Sequence, residues 1–144
     1  MNIYLEQIKA LIDPSLPLVS NLSNVSAVLF KLGDINWAGF YLANDNELLL
    51  GPFQGDIACT RIPFGKGVCG TSALTKETII VPDVNKFPGH IACSSLSKSE
   101  IVVPIMKNDK VVGVIDIDSP SLNRFDEKDK QLLLNVSNIL SNLF

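Results

Sequence analysis

A chain of 144 residues with 47% hydrophobic content is long enough to bury a proper core and too short for a second domain, so one unit over residues 1–144 is expected. The balance of 12 Lys+Arg against 15 Asp+Glu, with no basic run or aromatic-basic stripe, excludes the electrostatic footprint of a nucleic-acid binder. No stretch approaches the roughly 20 apolar residues that cross a bilayer, and the start MNIYLEQIKALIDP has neither the basic nor the apolar region of an export signal, so a cytoplasmic protein away from membranes is expected.

Apolar residues at Ile3, Leu5, Ile8, Leu11 and Ile12 make a near-helical stripe that Pro14 and Pro17 end, which predicts a first helix over residues 2–12. Leu18, Leu22, Val25, Val28, Leu29 and Leu32 recur every three or four residues before Gly33 and predict a second helix with a glycine stop. INWAGFYLA and ELLLGPFQG, rich in β-formers on either side of Asn44-Asp45-Asn46, read as an antiparallel hairpin. PFGKGVCGTSALTKE is glycine-rich and then suits a short helix from near Val68, and residues 78–81 make a short strand ended by Pro82-Asp83. EIVVPIMK and VVGVIDIDS form a second hairpin about Asn108-Asp109. Residues 126–143 close the chain with a helix whose apolar face carries Leu132, Leu133, Val136, Ile139, Leu140 and Leu143, with Asp126 near its start. Helices, strands, an irregular middle, strands and a helix predict an α+β fold with helices packed on an antiparallel sheet.

The chemistry-bearing residues gather in few places. FPGHIACSSLSKSE, residues 87–100, holds the single histidine, a cysteine and a carboxylate in a stretch too rich in Gly and Ser for a stable helix or strand. Three cysteines, an odd number, argue for reduced thiols and for any disulfide being transient. His90 and Cys93 with Cys59 and Cys69 would make a Cys3His metal set, but the spacing lacks the short paired knuckles of zinc sites, so no metal is expected. A Cys–His nucleophile pair would need an orienting third group that is not evident, which leaves His90 as an ordered loop histidine. GKGVCG lacks the order of a phosphate loop, and a tight turn into a helix accounts for it. That turn places Cys69 in the first turn of the helix, where the dipole favours a thiolate; a small buried apolar residue is the plainer account.

In VVGVIDIDS, period two puts Val112, Val114, Asp116 and Asp118 on one face and Val111, Ile115 and Ile117 on the other. A strand apolar on both faces is covered, so its acids should meet a cation or polar ligand; an exposed strand end is the plainer account of Asp118. A two-residue turn at Asn108-Asp109 would set Glu100 opposite Ile117, whereas a three-residue connection, or an equivalent bulge, sets it opposite Asp118. The second arrangement is expected. It gathers three carboxylates, of which at least one would hold a proton near neutral pH. Trp37 and Tyr41, four residues apart, share a face; they are core or, if they look toward the acids, an aromatic wall for an ammonium or methyl group.

NWAGFYL, LGPFQGDIACTRIPFGKGVCG, VPDVNKFPGHIAC, SEIVVPI and GVIDIDSP together resemble the free methionine-(R)-sulfoxide reductases, a family built on the GAF fold, over about residues 35–125. One departure is Ser94, where the family usually has Asp. The resemblance implies a sheet of about six strands, the N- and C-terminal helices on one face and a loop-rich active-site side. It implies Cys93 as the thiolate that attacks the sulfoxide sulfur, Cys59 or Cys69 as the thiol that resolves the resulting sulfenic acid, and thioredoxin as the electron donor, with no cofactor. Glu100, Asp116 and Asp118 correspond to the substrate carboxylates, with Glu100 or Asp118 as proton source, and Trp37 and Tyr41 to the aromatic residues around the S-methyl group. On helix position alone Cys69 competes with Cys93 as the attacking thiol. A homodimer through the terminal helices fits the family's fold, although the same apolar stripes serve equally well against the sheet. The alternative function is a non-catalytic GAF module that senses a small molecule.

Overall fold

The computed structural model describes residues 2–90 and 96–144. Its first and last helices begin where side chains satisfy the donors that a first turn leaves free. The Asn2 side chain accepts from the Tyr4 and Leu5 amides at the start of α1 (Ile3–Leu11), and Asp126 and Asp129 form a reciprocal capping box at the start of α4 (Glu127–Ser141). Between them, α2 (Leu18–Leu29) ends four residues before Gly33. The Lys31 and Leu32 amides turn back onto the Val28 and Leu29 carbonyls in tighter bonds, so the glycine shapes the turn after the helix rather than the helix end.

Six strands form one sheet in the order β3-β2-β1-β6-β5-β4, antiparallel throughout. β1 (Trp37–Asn44) and β2 (Glu47–Gly55) make the first hairpin about a two-residue turn. β3 (Arg61–Pro63) is an edge strand that the sequence did not foreshadow, because three residues are too few to show a period. α3 (Gly67–Thr75) and β4 (Ile79–Val81) follow as expected.

The second hairpin, β5 (Ser99–Lys107) and β6 (Lys110–Ser119), reaches the expected register by the bulge, the second of the two routes expected. Asn108 and Asp109 have φ of 53° and 63° and form a two-residue turn that pairs Lys107 with Lys110, so the three-residue connection is overturned. The offset comes instead from a bulge: Ile105 pairs with Gly113 but Met106 with Val111, which inserts Val112 into β6. Beyond it Glu100 stands opposite Asp118. The same bulge corrects the face assignment near the turn, since Val112 packs with Ile115 and Ile117 while Val111 joins Val114.

Alternation divides the sheet into two faces. Phe40, Ile101, Val103, Ile105, Ile115 and Ile117 are buried against α1, α2 and α4, each worth about 1.5–3 kcal/mol of apolar transfer. Tyr41, Val102 and Val114 point the other way, toward Val68, Cys69 and Ala73 of α3. With the terminal helices on one face, the other is left to α3 and the loops, and the acids lie there.

Candidate active site

Strand pairing alone assembles the polar centre. Glu100 of β5 faces Asp118 of β6, and β1, on the other side of β6, sets Trp37 opposite Asp118 and Gly39 opposite Asp116. The rings of Trp37 and Tyr41 lie 5.9 Å apart at 22°, and Phe53 stacks on Trp37 at 5.1 Å. Both polar tips are tied down: Trp37 Nε1 donates to the Asp56 carbonyl at 3.1 Å and Tyr41 Oη to the Cys59 carbonyl at 2.9 Å. Gly39 makes the stack possible, since a Cβ there would fall 2.3 Å from Phe53 Cβ.

α3 supplies the sulfur. It lies so close to β3 that a Cβ on Gly70 would be 2.4 Å from the Pro63 carbonyl oxygen, and this approach lays Cys69 against the acids, with Sγ 4.0 Å from Glu100 Oε2. Trp37, Tyr41, Cys69, Glu100, Asp116 and Asp118 thus line one pocket with a cavity of about 40 Å³. Lys66, His90 and Ser97 line it too. Of these, Lys66 and Ser97 escaped sequence reasoning: Lys66 lies in a glycine-rich turn without the order of a phosphate loop, and Ser97 is one serine among several.

Burial sets the electrostatics. Glu100, Asp116 and Asp118 are all held well above the usual carboxylate range, first by desolvation and then by one another, Asp116 acting on Glu100, Asp118 on Asp116 and Glu100 on Asp118. Asp116 Oδ1 and Asp118 Oδ1 have no hydrogen-bond partner among the described residues. Of the two accounts of Cys69, the structure agrees with the buried residue: burial, then the carboxylates, push its thiol well up. Tyr41 is raised by the same two causes, and burial lowers His90.

The sequence-predicted residues therefore converge, with two qualifications. Cys93 lies outside the described residues. Cys59 is disulfide-bonded, and its carbonyl, rather than its sulfur, is what meets Tyr41 of the pocket; Cys69 is free. The Cys3His metal set includes Cys93 and so falls partly outside the described residues; among those described, the cluster with metal-ligand geometry is Cys69, Glu100 and Asp116.

A family model for the GAF domain matches residues 17–143. The chain is 53% identical over 142 residues to a free methionine-R-sulfoxide reductase of Saccharomyces cerevisiae, covering 92% of this chain and 79% of that one. The chain belongs to the GAF family and, within it, to the free methionine-R-sulfoxide reductases. It is also 53% identical to GAF domain-containing protein A of Dictyostelium discoideum, over 96% of this chain and 88% of that one. Among solved structures, the free methionine-R-sulfoxide reductase from Neisseria meningitidis in complex with its substrate superposes with a TM-score of 0.93 at 46% identity, covering 98% of this chain and 86% of that one.

Proposed function

We propose that the chain reduces free methionine-R-sulfoxide to methionine in this pocket, as one catalytic unit. The observation that carries the reading is the row of three carboxylates, Glu100, Asp116 and Asp118, that lines the pocket beside the Trp37–Tyr41 wall. A sulfoxide oxygen is a poor leaving group until protonated, and a carboxyl kept neutral by burial is a proton source that water at neutral pH is not. Glu100 or Asp118 gives that proton, while the carboxylates that ionise hold the substrate ammonium. The stacked rings receive the S-methyl group and so select the configuration at sulfur. Lys66 is the lining cation available to the substrate carboxylate.

The Cys93 thiolate attacks sulfur, oxygen passes to the cysteine as a sulfenic acid, and methionine leaves. Cys59 then condenses with the sulfenic acid, releasing water and forming a disulfide, which thioredoxin reduces with two electrons and two protons. Two observations support Cys59 over Cys69 in this role: Cys59 is disulfide-bonded, and Cys69 is buried with its thiol pushed up. The working location is the cytoplasm, where thioredoxin is kept reduced; no helix among the described residues is long and apolar enough to cross a membrane.

NADPH consumption with thioredoxin, thioredoxin reductase and racemic free methionine sulfoxide tests the reading. Consumption stopping near half of the sulfoxide supplied is expected. No consumption would instead favour a GAF module that binds without turnover.

A further inference from the structure

Three groups able to bind a metal ion converge in the pocket lining from three elements. The Cys69 sulfur from α3, a Glu100 oxygen from β5 and an Asp116 oxygen from β6 all lie within 4.8 Å of one another, and all three residues are buried. Asp116 is 5% exposed, and its Oδ1 has no hydrogen-bond partner among the described residues. A buried polar oxygen without a partner is costly, and a small cation is one occupant that relieves it. We infer that this cluster is a binding site for a thiophilic divalent cation of the zinc type, held by Cys69, Glu100 and Asp116, which fills the pocket and excludes other occupants.

The donor set selects the class of ion. One sulfur and two carboxylate oxygens match the thiolate and carboxylate ligands that zinc accepts at about 2.0–2.3 Å, and three protein ligands leave the fourth tetrahedral position for water. Calcium and magnesium favour six or more oxygens and gain nothing from sulfur. Ligand atoms around tetrahedral zinc lie about 3.5 Å apart, so the three donors, within 4.8 Å of one another and 4.0 Å apart at Cys69 Sγ and Glu100 Oε2, draw together on binding. The cavity of about 40 Å³ exceeds the roughly 10–15 Å³ that one water requires, which leaves room for an ion and its water. Binding forms one metal–sulfur and two metal–oxygen bonds. The thiol proton, and any proton on the two carboxyls, pass to solvent, and no group changes oxidation state. The inference stands on these donors and holds whether or not the pocket reduces a sulfoxide.

Cadmium, a spectroscopic stand-in for zinc, reads the site through its ultraviolet thiolate-to-metal charge-transfer band. The full chain carrying Cys59→Ser and Cys93→Ser, freed of reductant under anaerobic conditions, leaves Cys69 as the only thiol. A band saturating at one cadmium per chain and displaced by zinc is expected. Adding Cys69→Ser should abolish it, and adding Asp116→Asn should weaken cadmium binding at least about tenfold. Because loss of the band with Cys69→Ser would also follow from unfolding, the isosteric Asp116→Asn variant, checked by circular dichroism, carries the decision. No band in the Cys59→Ser, Cys93→Ser protein, or an affinity unchanged by Asp116→Asn, would overturn the site.

Discussion

At the scale of single residues, the pocket trades stability for a stored proton. In the unfolded chain Asp116 ionises near pH 4, whereas in the folded chain desolvation, and then Asp118, hold its proton to higher pH. Above about pH 4 the folded state therefore binds more protons than the unfolded one, and stability falls as pH rises until the folded carboxyl ionises. Asp116→Asn keeps the shape and removes this cost, so its advantage over the parent should be small at pH 4 and grow toward pH 8. We expect a rise in Tm at pH 8 of about 2–4 °C, the size of a ~1 kcal/mol gain in a domain of this length, read by calorimetry. Glu100→Gln should fold as well as the parent yet lower kcat about 10²–10³-fold, the usual worth of a positioned acid; a change in KM alone would make Glu100 a binding group. The thiol of Cys69 shows why such values escape a sequence. Its place in the first turn of a helix is legible, but the three acids that face it arrive from strands some thirty to fifty residues further along the chain.

At the scale of elements, the site depends on how two pairs of strands are offset and how closely they approach. That Glu100 should face Asp118 was legible from the need to pair buried acids on one face. The choice between the two routes was not, because a turn of two left-handed residues plus a bulge at Val112 and a simple three-residue turn give the same register beyond the loop. Gly39 is a similar case: its sequence neighbours announce a β-strand, but the need for an empty position arises from Phe53 across the ladder. Gly39→Ala should displace Phe53 from Trp37, cost about 1–3 kcal/mol in denaturant unfolding, and raise KM through the loosened aromatic wall. By contrast, the capping box of α4 lies away from the pocket-lining residues. Asp126→Ala should lower the midpoint of denaturant unfolding and leave kcat/KM unchanged.

At the scale of the whole molecule, the sheet separates stability from chemistry. One face is sealed by α1, α2 and α4, and the other carries the acids, the aromatic pair and the thiol of α3. Alternation and amphipathic helices made the fold class and the shared face of Asp116 and Asp118 readable from sequence, the division of the sheet's two faces came from the family resemblance, and the edge strand β3 came from neither. The helical side retains exposed apolar residues, Ile3, Leu11 and Val19 among them, and we propose that these serve a homodimer; light scattering should then give about twice the 15.7 kDa of one chain. The central claim is that Cys93 attacks the sulfoxide while the buried acids supply the proton. Its most direct test is methionine released per chain in a single turnover, with pre-reduced protein, no added reductant and free methionine-R-sulfoxide. About one equivalent is expected from the parent and from Cys69→Ser, and none from Cys93→Ser. A release that persists in Cys93→Ser and vanishes in Cys69→Ser would contradict the account.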